Sequence, residues 1–479
     1  MGDASHSPDH KLLAYSTDTN GSETYTIRIK DLGTQENLED EIGQTQGSVV
    51  WANDSRHFFY VRLDDNHRPL AVYRHKLGTP AADDVLIYQE DDTAFYVSLS
   101  KTQSSRFILI EIHDHQTSEV HLIDADAPEI DHLTCVAPRA QGHEYDVEHN
   151  GDRLIIRTNS NDSEDFRIVE APLSDPAPAN WVELLPHQSG RLILSHLILA
   201  KHMVRLERFE GLPRIIVRDL ASSEEHVIAF GEEAYGLGIS DGYEFDTTNL
   251  RFTYSSMTTP AEVYDYDIET RQRTLRKRQQ VPSGHQPSDY MTRRIMARAA
   301  DGETVPISLL YRHDTPIDGT APVLLYGYGA YGISIPASFS TGRLSLVDRG
   351  FIYAIAHIRG GKDKGYRWYK AGKLEHKTNT FSDFIAAADH LVSEGYTQRG
   401  RIVAHGGSAG GMLMGAVANM APDLFKGIIA NVPFVDVLNT MLDKDLPLTP
   451  PEWLEWGNPI ASLEEFERIR AYSPYDCVA

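Results

Sequence analysis

Short apolar runs separated by polar turns recur along roughly the first 280 residues of the chain. In each repeat a polar turn precedes one strand-like run, and a second such run follows after a loop. The clearest pairs are Leu12–Tyr15 with Tyr25–Ile29, Phe58–Val61 with Ala71–Arg74, Phe107–Ile110 with Val120–Ile123, and Leu154–Arg157 with Phe166–Val169, and weaker copies centre on His202–Leu206 and Leu250–Tyr254. About six repeats at a spacing of about 45 residues predict a β-propeller of four-stranded blades. A pair of β-sandwiches is the alternative, which the regular turn–strand–loop–strand order disfavours.

The pattern changes after about residue 290. Two strand-like runs flank the hairpin signal Asp301-Gly302, and four short buried runs follow, with helical apolar spacing at Phe381–Glu394. The four buried runs are Ala321–Tyr326, Phe351–His357, Arg401–His405 and Lys426–Val432. Alternating strands and helices predict a mostly parallel α/β sheet. The Pro/Gly-rich stretch Val281–Pro287 predicts the boundary, giving a propeller domain over 1–284 and an α/β domain over 285–479.

Composition and charge exclude several classes of protein. The chain has 479 residues, 41% of them hydrophobic and 24% charged, which is ordinary for a globular protein. A formal net charge of -24 argues against nucleic acid or an anionic membrane as partner, and the basic cluster Arg271–Arg278 is interpreted as a solvated turn. No apolar run approaches the ~18 residues of a membrane span, and the first residues lack the features of a signal peptide. Cys135 and Cys477 predict neither a disulfide framework nor a metal site, so a reducing cytoplasm is expected.

The most informative motif is Gly406-Gly407-Ser408-Ala409-Gly410. The strand-like run before it and the helix-compatible run Met412–Ala418 after it are typical of a nucleophile elbow, which makes Ser408 the candidate nucleophile. A serine hydroxyl needs a histidine base and a carboxylate that orients the base. In α/β-hydrolases these follow the serine in the chain, yet no histidine follows His405. We therefore expect a serine hydrolase interrupted before its triad is complete, with His405 pointing away from Ser408.

Several further stretches carry a family resemblance. They are Tyr326–Gly332, Arg343–Phe351, His357–Gly361, Gly406–Gly415, Val432–Val437, Glu455–Pro459 and Tyr472–Asp476. In this order they resemble the prolyl oligopeptidase family of serine peptidases, most closely its oligopeptidase B branch, and the repeats from about Gly2 onward resemble the same family. The resemblance implies a seven-bladed propeller followed by an α/β-hydrolase domain. It also implies that the first blade and the C-terminal part of the hydrolase domain are missing here.

The same resemblance implies roles for individual residues. Ser408 is the nucleophile, and the Tyr328 hydroxyl and the Ala409 backbone N–H form the oxyanion hole. This branch cleaves peptides after Arg or Lys, and Glu452, with Glu455 beside it, is expected to bind the basic side chain. The sequence departs from the branch at Leu454, where a further glutamate is common. It also departs at Pro336 and Ser338, where many members carry aspartates that bind a second basic residue.

The expected function is therefore hydrolysis of short basic peptides through an acyl-enzyme on Ser408. No metal, cofactor, nucleic acid or membrane is expected to take part. Residues 1–479 alone are expected to be inactive, because the histidine and the acid act together with the serine. Two alternatives stay open: prolyl oligopeptidase-type or acylaminoacyl peptidase specificity, or a non-catalytic propeller scaffold with a relic hydrolase domain.

Overall fold

The structure is a computed structural model that describes residues 2–130, 132–242 and 244–478. The chain divides into two compact units. The first comprises Met1–His187, Leu197–His202 and Gly242–Thr247, and the second comprises Gln188–His196, Met203–Asp241 and Thr248–Ala479. The second unit thus joins the last repeats to the α/β region, and the domain boundary at residue 284 stays a prediction.

The repeat region folds into antiparallel sheets. The strands are β1 (Ala4–His6), β2 (Leu12–Thr17), β3 (Tyr25–Asp31), β4 (Asn37–Trp51), β5 (His57–Leu63), β6 (Pro69–Lys76), β7 (Val85–Gln89), β8 (Tyr96–Lys101), β9 (Phe107–His113), β10 (Ser118–Asp124), β11 (Thr134–Cys135), β12 (Tyr145–Asn150), β13 (Arg153–Thr158), β14 (Arg167–Pro172), β15 (Val182–Leu185), β16 (Arg191–Ile198), β17 (His202–Phe209), β18 (Leu212–Asp219), β19 (Glu225–Ile228), β20 (Tyr235–Ser240), β21 (Asn249–Ser256), β22 (Glu262–Asp267) and β23 (Gln272–Arg278). Strands β1–β7 form one seven-stranded sheet, and four four-stranded sheets follow. Each predicted strand pair lies in one of these sheets, so the β-propeller prediction is confirmed.

The basic cluster Arg271–Arg278 was expected to be a solvated turn, and that expectation is wrong. Most of it is the fully exposed strand β23, which pairs with β22. Cross-strand pairing places Arg276 2.6 Å from Asp265 and Arg278 2.6 Å from Glu262. These cross-strand ion pairs with two of its arginines favour the strand over a turn.

The α/β region contains a six-stranded sheet with helices. Its elements are β24 (Tyr290–Arg298), β25 (Thr304–Arg312), β26 (Val323–Tyr326), α1 (Thr341–Val347), β27 (Ile352–Ala356), α2 (Tyr366–Lys370), α3 (Thr378–Ser393), β28 (Ile402–Gly407), α4 (Ala409–Met420), β29 (Phe425–Asn431), α5 (Val437–Leu442), α6 (Thr449–Trp456) and α7 (Leu463–Arg470). The strand order is β24-β25-β27-β26-β28-β29. The last four strands run parallel, whereas β24 and β25 form an antiparallel hairpin across Asp301-Gly302. The sheet is therefore mixed, with the predicted parallel part at the elbow.

Burial of helices α3 and α4 against this sheet forms the core of the region. Phe381, Phe384 and Leu391 of α3 are fully buried, as are Leu413 and Val417 of α4. Their spacing places them on one face of each helix, so the amphipathic pattern explains the packing. Because β26, β27 and β28 are parallel, their carboxyl ends lie at the same edge of the sheet. That edge carries the candidate site.

Candidate active site

Ser408 occupies the turn between strand β28 and helix α4. Its φ of 56° and ψ of -120° are strained for a residue with a side chain, a conformation that costs about 1–3 kcal/mol. The backbone around it holds the turn: Ser408 N–H donates to the Asn431 carbonyl at 2.9 Å, and the Ser408 carbonyl accepts from Gly411 N–H at 2.8 Å and Phe434 N–H at 3.1 Å. Ser408 itself is exposed. The turn therefore presents its hydroxyl at the sheet edge, as the motif predicts.

The glycines of the motif are required by close backbone contacts. A Cβ on Gly406 would overlap the backbone of Gly410. A Cβ on Gly410 would lie 2.8 Å from the Gly327 carbonyl oxygen and 3.3 Å from the Cα of Tyr328. The elbow helix therefore packs directly on the backbone of the segment that carries Tyr328.

Tyr328 lies just after strand β26, next to the elbow. Burial raises the pKa of Tyr328; a hydrogen bond with Ser408 acts to lower it, and the charges of Glu452 and Glu455 raise it further. The phenol therefore keeps its proton at neutral pH and can donate it to an oxyanion. Ala409 is the first residue of helix α4, where the geometry of the helix leaves the N–H without an intrahelical partner. The structure thus places both sequence-predicted donors beside Ser408.

Lys377 holds the segment after Tyr328, and the sequence analysis did not identify it. Its ammonium group is buried and donates to the Gly329 carbonyl at 2.7 Å and the Gly372 carbonyl at 3.3 Å. Burial lowers the pKa of Lys377 to about 8, although the charge of Glu455 acts to raise it. A signal was present: Lys377 immediately precedes α3, and the positive end of a helix dipole disfavours a cation there.

Helix α6 carries the two candidate glutamates, and the structure places them differently. Glu455 is 2% exposed, and its two oxygens accept hydrogen bonds from Tyr331 N–H at 3.0 Å and the Tyr369 hydroxyl at 2.6 Å. Glu452 is half-buried and accepts a hydrogen bond from Trp456 Nε1 at 2.9 Å. Glu455 is therefore engaged in holding the loop at Tyr331, whereas Glu452 remains partly accessible.

The three residues at which the sequence departs from the oligopeptidase B branch lie in different surroundings. Leu454 is half-buried on α6, between the two glutamates in the chain. Pro336 lies near Gly236, and the Ser338 carbonyl accepts a hydrogen bond from Arg343 at 2.8 Å. Neither Pro336 nor Ser338 supplies a charge for a second basic side chain.

His405 lies on strand β28, three residues before Ser408. Its Nε2 is 3.0 Å from Asn431 Nδ2, and its ring packs edge-on against Tyr326 at 5.2 Å between centroids. Burial lowers the pKa of His405. Asn431 and Tyr326 thus fix the imidazole, in keeping with the expectation that it is not the base for Ser408.

One group of side chains has the donor types of a metal site. Glu119, His121 and Cys135 each offer a ligand atom within 4.8 Å of the others. His121 Nε2 lies 2.9 Å from Glu119, however, and the other Glu119 oxygen accepts from Arg139 N–H at 2.8 Å. Burial raises the pKa of the Cys135 thiol to about 11, so it is protonated at neutral pH. The Glu119 carboxylate is thus already engaged by His121 and by the Arg139 backbone.

Among the residues that the structure describes, no helix combines the length and apolarity that a membrane crossing requires.

Two protein-family profiles match the chain. The first is described as the prolyl oligopeptidase N-terminal β-propeller domain and matches residues 1–279. The second is described as the prolyl oligopeptidase family and matches residues 337–479.

Among curated proteins, dipeptidyl aminopeptidase BI of Pseudoxanthomonas mexicana is 44% identical over 478 residues, which are 99% of this chain and 65% of the relative. Protease 2 of Moraxella lacunata is 37% identical, over 98% of this chain and 67% of the relative. The chain thus spans about two thirds of the length of these relatives.

Two solved structures are similar over the whole chain. Oligopeptidase B from Leishmania major has a TM-score of 0.94 at 36% identity, covering 99% of this chain and 68% of that one. Oligopeptidase B from Trypanosoma brucei, solved in a closed form with covalently bound antipain, has a TM-score of 0.93 at 39% identity, covering 100% of this chain and 68% of that one.

Proposed function

The chain belongs to the prolyl oligopeptidase family, and on that premise we propose that it supplies the nucleophile and the oxyanion hole of a serine peptidase. The observation that carries the proposal is the strained, exposed Ser408 next to Tyr328 and the Ala409 N–H. Ser408 attacks the peptide carbonyl, and the two donors stabilise the oxyanion that forms. Losing one such donor costs about 3 kcal/mol of barrier.

The proton of Ser408 needs a base, and we propose that residues 1–479 do not contain it. His405 is fixed by Asn431 and Tyr326, and no histidine follows it in the sequence. Purified 1–479 is therefore expected to leave an arginyl-amide reporter uncleaved. Hydrolysis by this chain that Ser408→Ala abolishes would contradict the proposed inactivity.

The proposed substrates are short peptides that carry Arg or Lys at the cleaved bond. Glu452 supports this assignment because it is a partly accessible carboxylate with aromatic neighbours: Trp456 donates to it, and its charge raises the pKa of the nearby Tyr331. A guanidinium can contact both the carboxylate and the aromatic faces. In this proposal Glu455 holds the loop at Tyr331 in place and does not contact the substrate.

Binding tests this assignment without requiring turnover. On Ser408→Ala, a labelled peptide amide with Arg is expected to bind about tenfold more tightly than the same peptide with norleucine. Glu452→Gln should remove most of that preference, and Glu464→Gln, at an exposed position of α7, should leave it unchanged. Equal preferences in the two variants would count against Glu452.

A second candidate is removal of dipeptides from a free N-terminus. It is favoured by the 44% identical relative, which is named dipeptidyl aminopeptidase BI. The same binding assay separates the two activities. Weaker binding after acetylation of the peptide N-terminus supports the dipeptidyl activity, and unchanged binding supports cleavage within the peptide.

The cytoplasm is the proposed location, supported by the two cysteines, both of which are free thiols.

A further inference from the structure

A small polar cavity lies in the second compact unit, apart from the Ser408 turn. Its volume is about 70 Å³, and its charged or hydrogen-bonding lining includes Arg208, Arg294, Ser308, His357 and Asp363. Ser308 lies on strand β25, and His357 directly follows strand β27. None of these residues has a role in the mechanism proposed above.

Three of the lining groups form a hydrogen-bonded chain. Ser308 Oγ lies 2.8 Å from His357 Nε2, and His357 Nδ1 lies 3.1 Å from Asp363 Oδ1. The order of groups is that of a catalytic triad, but Ser308 is 2% exposed and pairs with Ile355 in regular strand geometry. These hydrogen bonds therefore position Asp363, which is 4% exposed, and Ser308 is not presented as a nucleophile.

The Asp363 carboxylate accepts a hydrogen bond from His357 and interacts with the charge of Arg208. Burial acts to raise the pKa of Asp363, but the hydrogen bond from His357 and the charge of Arg208 hold it below its ordinary value. Arg208 donates to Ser334 at 3.0 Å, and Ser334 also hydrogen-bonds to Asp363. Asp363 therefore balances Arg208.

Arg294 has no carboxylate of its own in the cavity. Its guanidinium donates to the backbone carbonyl of Glu210, and it shares the charge of Asp363 with Arg208. Glu233 accepts the Arg294 backbone N–H at 2.9 Å and lies 3.8 Å from the Arg293 guanidinium instead. Among the described residues that line the cavity, Asp363 is the single carboxylate facing two guanidinium groups. Burial lowers the pKa of both arginines, although the charge of Asp363 acts to raise it.

The size and position of the cavity narrow the choice of ligand. A volume of about 70 Å³ holds about two water-sized groups, which suits the two oxygens of a carboxylate. His357 and Ser408 follow the parallel strands β27 and β28 at the same sheet edge, with β26 between them. Strands β27 and β28 are two strand spacings apart, which is about 10 Å, and three or four residues of an extended peptide span that distance.

One chain segment also connects the two places. Tyr328 of the oxyanion hole and Ser334, which contacts Arg208, are six residues apart, and Pro336 lines the cavity. One segment therefore carries both an oxyanion donor and part of the cavity lining.

We propose that this cavity binds a carboxylate carried by the peptide, with Arg294 as its main partner and Arg208 as the second. The inference rests on the proposed function, because it assumes that the peptide binds at Ser408. It adds an acidic group, either a side chain or the C-terminal carboxylate, to the features by which the substrate is selected. Charge-assisted, bidentate hydrogen bonds to a guanidinium provide the specificity.

The test uses fluorescence anisotropy with residues 1–479 carrying Ser408→Ala, so that no cleavage depletes the peptide. One arm compares arginine-containing peptide amides with Glu or Gln at each position flanking the arginine, and a second compares the free acid with the amide. At one position, or for the free acid, the carboxylate should tighten binding by about tenfold. The arm that responds identifies the source of the carboxylate.

Arg294→Gln should abolish this advantage, and Arg208→Gln should reduce it. Arg293→Gln is the matched control: it removes the neighbouring charge on the same strand, is exposed, does not line the cavity and should leave the advantage intact. The proposal is overturned if no carboxylate strengthens binding, or if the advantage survives Arg294→Gln in a protein of unchanged thermal stability. The preference for Arg over norleucine, measured on peptide amides that carry Gln and no carboxylate, reports on Glu452 separately.

Discussion

Each compact unit contains a histidine cluster, and the two clusters differ in which charge is in excess: carboxylates in the first and guanidinium groups in the second. In the first unit His75 is fully buried, with Nδ1 2.6 Å from Asp84 and Nε2 2.9 Å from Asp40. The Tyr60 hydroxyl donates to the second Asp84 oxygen at 2.7 Å, and Gly78 N–H donates to Asp40 at 2.6 Å. The polar groups of this cluster are hydrogen-bonded to one another, with two carboxylates facing one imidazole.

In the second unit the imidazole of His357 lies between Ser308 and Asp363, and Arg208 and Arg294 share Asp363, the one carboxylate among the described residues that line the cavity. A buried polar cluster that is complete stabilises the fold and has nothing left for a ligand. A cluster with an unbalanced charge stabilises the fold less and attracts a group of opposite charge. The comparison predicts that the first cluster contributes to stability and the second to binding.

The largest expected effect is that of breaking the complete cluster. Asp84→Ala leaves His75 Nδ1 and the Tyr60 hydroxyl without their carboxylate partner and should lower the free energy of unfolding of the first unit by about 3–5 kcal/mol. The control Asp83→Ala, at the exposed neighbouring position, should change it by less than about 0.5 kcal/mol. Urea denaturation measures both. Similar losses in the two variants would mean that the cluster is not stabilising.

The next largest effect is expected at the elbow, where Ser408 has a strained backbone conformation. Gly406→Ala places a methyl group against the backbone of Gly410 and should destabilise the second unit by about 3 kcal/mol. Gly427→Ala, on the adjacent strand β29, meets no atom within 4 Å and should be nearly neutral. Thermal denaturation compares the two variants, and equal melting temperatures would exclude tight packing at the turn.

The pH dependence of stability tests whether His75 is charged. Burial acts to lower the pKa of His75, but its hydrogen bonds to Asp84 and Asp40 raise it overall. A pKa raised by folding stabilises the protein fully below the unfolded value of about 6.5, and the stabilisation is lost as pH rises through the folded pKa.

The free energy of unfolding of the first unit should therefore fall as pH rises above about 6.5. His75→Gln should flatten this part of the profile, and His132→Gln, at an exposed position, should not. A profile that keeps its slope in His75→Gln would assign the titration to another group.

The smallest effect on stability is expected at Arg294. Replacing it with Gln removes a half-buried charge that shares Asp363 with Arg208, so stability should stay unchanged or rise by up to about 1 kcal/mol. Arg205 is the contrast in the same unit: it is 1% exposed and contacts Glu225 at 2.8 and 3.0 Å, so Arg205→Gln should be clearly destabilising. Comparable losses at the two arginines would remove the distinction between balanced and unbalanced clusters.

The sequence alone determined the architecture and located the elbow that carries the candidate nucleophile. Alternation of apolar residues with period two identifies strands wherever one face is buried, so the repeats were visible before any tertiary information. The elbow was visible because its turn needs glycines at set positions around Ser408. Helix α3, expected at 381–394, forms at Thr378–Ser393, since its first turn is determined by contacts such as that of Thr380 with Gly329.

Only the tertiary structure decided which polar groups meet. Glu452 and Glu455 lie on the same short helix, and their different burial depends on Tyr331 and Tyr369 from distant parts of the chain. The link from Ser308 to His357 spans 49 residues, and Arg208 and Arg294 reach one cavity from separate sheets. Periodicity encodes which face of an element is buried, whereas the charge that each buried group meets depends on the packing of elements distant in sequence.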